Sequence, residues 1–227
     1  MPPDSSPQVF TDVSVEPFVR GLLHRPVNPN GGGIVLTHGA GSNCQAPLLI
    51  ALAGTFSNAG FIVLRCDLPY RQDRPYGPPG PGDAKRDRAG LKNAVAAIRN
   101  LASGRVFLGG HSYGGRQSSM LCAEQPEGQE LTAGLLLFSY PLHPPRKPDQ
   151  LRTQHFFHLH TPALFVQGTR DPFGSIAEIE QALKLIPAKT RLLPVEGAGH
   201  DLGFKGKAGR DALSPRVLSE FQAFFVN

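Results

Sequence analysis

Tryptophan is absent from the 227-residue chain, and methionine, tyrosine and cysteine are scarce, with two, four and three copies. The three cysteines, Cys44, Cys66 and Cys122, are odd in number and have no C-x-x-C spacing. That excludes a disulfide framework and a thiolate zinc site, and makes free thiols in a reducing, cytoplasmic setting the default expectation. No apolar run reaches the length of a membrane span, and Met1 to Gln8 has neither a basic start nor an apolar core. The expectation is a protein that is neither secreted nor membrane-bound, with residues 1–8 disordered. Nor is there a charge block. The net charge is +5, from 23 Lys and Arg against 18 Asp and Glu. Runs such as Asp83-Ala84-Lys85-Arg86-Asp87-Arg88 interleave the signs, which describes a solvated helix face rather than a nucleic-acid patch. No glycine-rich loop has a Walker or dinucleotide spacing, so no cofactor is expected. His155, His158 and His160 lack neighbouring Cys or carboxylate partners, so no metal is expected either.

What the chain does have is a run of short, almost wholly apolar segments: Ile34–Thr37, Phe61–Leu64, Val106–Leu108, Leu135–Phe138 and Ala163–Val166. Strands that alternate have one wet face; strands that do not are buried on both faces, as in a parallel sheet covered by helices. Helical patterns fall between them, at Pro47–Asn58, Ala84–Ala102, Arg116–Glu124, Ser175–Ile186 and Pro215–Phe225. In the second, Leu91, Ala94, Val95, Ile98 and Leu101 form one apolar stripe. A further strand is read at Thr190–Val195. Val9–Glu16 and Phe18–His24, divided by Pro17, read as two antiparallel edge strands. The alternation predicts a single α/β domain over 1–227 with a mostly parallel sheet. The Pro- and Gly-rich stretch Pro69–Gly82 reads as a mobile loop.

Directly after Val106–Leu108 comes Gly109-Gly110-His111-Ser112-Tyr113-Gly114-Gly115. A serine hydroxyl is a poor nucleophile and must stand clear of the backbone, which a sharp strand-to-helix turn allows only if its neighbours lack side chains. The pattern G-x-S-x-G alone is weak. Here it follows a buried strand and opens a helix, which makes Ser112 a candidate nucleophile. Such a serine needs a base, and in this arrangement the partners follow in the order serine, acid, histidine from later strand ends. Of eight histidines, only His200, in a small-residue loop after Thr190–Val195, follows the best acid candidate. That acid is Asp171, just beyond Ala163–Val166, with Asp149 as runner-up; Asp67 precedes the serine and reads as structural. The amide N–H groups of Tyr113, at the helix start, and of Ala40, in the loop His38-Gly39-Ala40-Gly41-Ser42-Asn43, are the candidates for an oxyanion hole. His38 reads as a loop anchor.

With these residues in place the chain resembles the α/β-hydrolase superfamily from Ile34 onward, and within it the small lidless branch related to dienelactone hydrolases. Leu36–Gly41, Tyr140–Pro145 and Gly168–Gly174 are similar to proteins of an α/β-hydrolase-like group. Dienelactone hydrolases carry cysteine at the elbow, so Ser112 departs from their pattern. The resemblance implies an α/β-hydrolase fold without a cap domain and a serine hydrolase with a Ser112-Asp171-His200 triad acting on a small ester or related acyl compound. Some members of the closer group are thought to act as scaffolds, which leaves a hydrolase-shaped binding protein as one alternative and an acyltransferase using the same triad as another. The segment Tyr140–Thr161 is short and proline-bearing, which predicts a shallow, open cleft with Tyr70, His143 and Phe173 as wall residues.

Overall fold

The computed structural model describes residues 6–204 and 210–226. Its eight strands form one sheet in the order β1-β2-β4-β3-β5-β6-β7-β8. The edge hairpin is β1 (Gln8–Asp12) and β2 (Val19–His24), antiparallel to each other, with β2 also antiparallel to β4 (Ile62–Asp67). The remaining pairings are parallel, through β3 (Gly33–Thr37), β5 (Val106–His111), β6 (Leu135–Phe138), β7 (Ala163–Gly168) and β8 (Thr190–Val195). Gln8 is already paired with Leu23, so order begins before the end of the stretch expected to be disordered; the rest of that expectation, over residues 1–5, lies outside the described residues.

The non-alternating strands are buried on both faces, and successive residues feed two separate cores. Val35, Leu64 and Leu108 pack with Leu91, Val95 and Ile98 of α3 (Asp83–Arg99) and with Leu121 of α4 (Tyr113–Ala123). Ile34, Leu36, Val63 and Phe107 pack on the other side with Leu49, Leu52 and Phe56 of α1 (Pro47–Asn58) and Val217 and Phe221 of α6 (Arg210–Phe221). On that side Phe56, Phe61, Phe107 and Phe221 meet edge to face at 4.7–5.8 Å between ring centroids. Each such pair adds about 0.5–1.5 kcal/mol beyond the area it buries. A short α5 (Ile176–Leu183) begins at a capping box in which Ser175 and Glu178 satisfy each other's backbone amides.

Two expectations need correction. The Pro69–Gly82 segment is not a plain mobile loop, because Pro69–Asp73 forms the short helix α2, with Pro69 at its N-terminus and Tyr70 and Arg71 buried. Proline suits that first helical position, where the missing N–H would have no partner anyway. The third helix ends at Arg99 rather than Ala102. Between β6 and β7 there is only a 3-10 turn, Phe156–His158, and no cap. The six strands of the parallel region run in one direction, so their C-terminal ends lie on one side of the sheet, where open α/β sheets bind ligands, and the β6–β7 connection places no helical cap there.

Candidate active site

β5 leads into α4 through Ser112, whose backbone sits at φ 51°, ψ −115°. A left-handed conformation in a residue with a Cβ costs on the order of 1–3 kcal/mol and persists only where surrounding contacts enforce it. Here the Ser112 N–H donates to the Phe138 carbonyl at 2.8 Å, and the Ser112 carbonyl accepts from Arg116 N at 2.9 Å, starting the helix. Two glycines make the turn possible. A Cβ on Gly110 would lie 2.6 Å from the Gly114 carbonyl carbon, and one on Gly114 would lie 2.5 Å from the His38 oxygen. Substituting either would push the elbow open.

The loops after β7 and β8 bring two further side chains to that serine. Thr169 N donates to Val195 O at 3.0 Å, Arg170 N to Ala198 O at 2.9 Å, and Gly197 N to the Thr169 hydroxyl at 2.9 Å. Clamped in this way, His200 places Nε2 2.8 Å from Ser112 Oγ and Nδ1 2.8 and 3.0 Å from the two carboxylate oxygens of Asp171. A carboxylate only accepts, so Nδ1 carries the hydrogen and Nε2 is left to accept from the serine hydroxyl. Asp171 is buried, and its Oδ1 also accepts from Phe173 N at 2.9 Å. The Phe173 ring lies over the imidazole, 4.2 Å between centroids at 32°. From below, His111 Nε2 donates to the His200 carbonyl at 2.8 Å; burial pulls the His111 pKa down to about 4, so it does so as a neutral ring.

The third wall is backbone. The loop after β3 runs so close to the elbow that a Cβ on Gly39 would come within 3.4 Å of Ser112 Cβ. It is held from outside by buried polar side chains. Tyr70 Oη donates to the Ala40 carbonyl at 2.8 Å, Arg71 Nη2 to the same oxygen at 3.1 Å, and Arg71 Nε to Ser42 O at 2.7 Å. Asp67 accepts from Cys44 N at 2.7 Å, as its structural reading required. His38 donates from Nδ1 to Gly39 O at 2.9 Å and accepts at Nε2 from Leu68 N at 3.1 Å, with burial lowering its pKa. It is a neutral anchor, not a base. Asp87, read as part of a solvated face, is fully buried instead, accepting from Tyr113 Oη at 2.7 Å and Tyr70 N at 3.1 Å. Burial raises its carboxyl pKa. The amide N–H groups of Ala40 and Tyr113 donate to no described residue.

The structure thus brings Ser112, His200 and Asp171 together, with Tyr113 following the serine and the loop that holds Ala40 approaching it at Gly39. It does not bring in Asp149, which is exposed. Of the expected wall residues only Phe173 faces the imidazole. Tyr70 is buried beneath the Ala40 loop, and His143 is buried with Nε2 3.5 Å from Glu178. His155 bonds Ser119 Oγ at 2.8 Å, and among the described residues no His, Cys, Asp and Glu cluster could hold a metal ion. The contributions of Tyr70, Arg71, Asp87 and His111 were not read from sequence; the proline after Leu68 was the one available sign of a helix at Tyr70.

A mostly parallel eight-stranded sheet, a strained serine turn between the fifth strand and the following helix, and no cap over the strand ends define a lidless hydrolase fold. Residues 31–224 match the alpha/beta hydrolase domain family, and the chain belongs to that family. Solved structures with the same fold include an alpha-beta serine hydrolase homologue from Coxiella burnetii, at 16% identity and TM-score 0.74, covering 94% of this chain and 96% of that one. A dienelactone hydrolase from Anabaena variabilis matches at 22% identity and TM-score 0.71, covering 97% and 99%. A serine hydrolase without a lid from Xanthomonas campestris matches at 14% identity and TM-score 0.72, covering 98% and 97%.

Proposed function

We propose that the chain is a serine hydrolase that cleaves small esters or related acyl compounds through an acyl-enzyme. The observation that carries this reading is the continuous chain from the Ser112 hydroxyl through His200 to the Asp171 carboxylate, at 2.8 Å for each link. Ser112 Oγ attacks the carbonyl carbon while His200 Nε2 takes its proton. The imidazolium that forms is stabilised by Asp171, which also holds the ring in the required tautomer. The amides of Ala40 and Tyr113 donate to the tetrahedral oxyanion. His200 then protonates the leaving alcohol as the C–O bond breaks, and afterwards deprotonates the water that attacks the acyl-enzyme, regenerating the serine and releasing the acid.

Substrate size follows from what covers the site. With only a 3-10 turn between β6 and β7, no helical cap encloses an acyl chain. A 410 Å³ cavity lined by Leu151, Ala177 and Ala182 lies beside α5 and includes none of the three residues. Each methylene buried in a tunnel contributes about 0.8 kcal/mol. An open cleft forgoes that gain, so kcat/KM for activated esters should stay flat or fall from acetate to decanoate. A steady rise along the series would reveal a deep acyl tunnel and overturn the small-substrate reading. No helix among the described residues is long and apolar enough to cross a membrane. Three buried free thiols suit a reducing, cytoplasmic compartment. Absence of turnover on every short ester, with the fold intact, would favour the scaffold alternative instead.

A further inference from the structure

A second cavity of 350 Å³, whose lining includes none of Ser112, Asp171 and His200, opens between the end of β2 and α1. Arg65 lines it. This side chain is only 2% exposed, yet it forms an ion pair with no carboxylate of the described residues. Its Nε donates to His24 Nε2 at 2.9 Å and its Nη1 to the Cys44 carbonyl at 2.5 Å. His24 cannot neutralise it. The ring accepts that hydrogen bond, and burial together with the neighbouring guanidinium pulls its pKa down to about 4. Nη2 donates to no described acceptor, and Arg65 is one of the residues that line the cavity. The lining adds a second cation, Arg25, and the polar groups of Asn28, Ser57 and Asn58 beside the apolar Ile50, with no Asp or Glu among the described lining residues.

A buried charge is strongly unfavourable unless it is paired and hydrogen-bonded. Arg65 donates only to neutral acceptors, the Asp67 carboxylate lies near it but outside ion-pair distance, and the described lining combines cationic, polar and apolar groups. We propose that this cavity binds a small carboxylate with a compact apolar body, its carboxylate seated on Arg65 with Arg25 at the rim and its body against Ile50. The site is separate from Ser112 and does not depend on the hydrolase reading. Arg65 nevertheless connects the two, since the Cys44 carbonyl to which it donates belongs to the chain segment that continues from the Ala40 loop.

The test uses sodium butyrate as probe on the full chain, with butyramide as its neutral counterpart and inorganic phosphate and sulfate as compact anions, all at one ionic strength. Binding is read by calorimetry and by the shift of the Arg65 side-chain Nε signal in NMR. Butyrate should bind and move that signal, while butyramide, phosphate and sulfate should bind at least about tenfold more weakly, a difference of about 1.4 kcal/mol. Arg65→Gln should remove binding; because it also takes a buried donor from β4, a second variant decides. Gly54 lines the cavity on α1, and a Cβ there would meet nothing within 4 Å. Gly54→Leu therefore fills the cavity at a helical position that prefers a side chain to glycine. It should fold, keep the turnover of the wild type and lose butyrate binding at least about tenfold. Arg25→Gln should weaken binding by a smaller factor. No butyrate binding in the wild type, equal binding of butyramide or phosphate, or unchanged binding in Gly54→Leu would each overturn the proposal.

Discussion

The site is assembled from two halves that work in different ways. The half supplied by β5, β7 and β8 consists of side chains that bond one another: Ser112, His200 and Asp171 form a closed sequence of donors and acceptors. The half supplied by β3 and β4 is proposed to act through backbone, in the loop from His38 to Cys44, and that loop is held by side chains that bond its carbonyl and amide groups. Tyr70, Arg71 and Asp67 bond that loop's backbone, and His38, its first residue, accepts from Leu68 N. In the first half a residue's role is the chemistry of its own atoms. In the second, a residue matters through the carbonyl it holds, so its loss moves an amide N–H instead of removing a reacting group.

If that division is right, substitutions in the two halves should differ in size and in kind. Ser112→Ala and His200→Ala should each remove measurable turnover of an activated acetate or butyrate ester, whereas His38→Ala should leave measurable activity; wild-type rates in His200→Ala would break the assignment. Next, Asp171→Asn should keep the fold but leave the imidazole in the wrong tautomer, lowering kcat by up to ~10⁴. Asp149→Asn, at an exposed position, should be near neutral. In the backbone half, Arg71→Met removes two of the donors on the loop. Displacing one oxyanion donor costs about 10²–10³ in kcat elsewhere, so the expected loss lies at or below the lower end of that range. Unlike the first two changes it should come with lower thermal stability.

A small kinetic effect is also expected at Tyr113, whose hydroxyl belongs to the scaffold and whose amide is the proposed oxyanion donor. Tyr113→Phe should leave kcat within a fewfold of wild type while destabilising the fold by about 1–3 kcal/mol, because Asp87 loses a buried donor. The pH dependence fixes the cause. The folded-state pKa of Asp87 is raised above the ordinary 3.8 by burial, so its ionisation opposes folding as pH rises through the interval between 3.8 and the folded value. The Tyr113 hydroxyl donates more strongly to the charged carboxylate than to the protonated one, and so offsets part of that cost. The destabilisation should therefore be larger at pH 7 than at pH below about 4, as chemical denaturation at the two pH values would register; equal loss at both would point to packing alone.

The same contrast governs what was legible in the sequence. Strands with no polar alternation declared themselves as β3 to β7, and Ser112, Asp171 and His200 could be found from the turn chemistry of one and the chain order of the others. Residues of the backbone half carry no such signature. Asp87 sits in an interleaved charge run that has the pattern of a wet helix face, and only the tertiary approach of Tyr70 and Tyr113 buries it. Tyr70 and Arg71 lie at the head of a stretch whose many prolines and glycines mask a five-residue helix. Their targets are carbonyl oxygens, which every residue has, so nothing in the identity of Ala40 or Ser42 announces that Arg71 will be there.

The central claim, that Ser112 is an activated nucleophile, is tested most directly by reacting the purified protein with a fluorophosphonate and locating the adduct by mass spectrometry. The account predicts one phosphonyl group per chain, on Ser112, formed rapidly in the wild type and in Tyr113→Phe, and lost in Ser112→Ala and His200→Ala. An unlabelled wild-type protein, or labelling that persists at another residue when Ser112 is alanine, would contradict it.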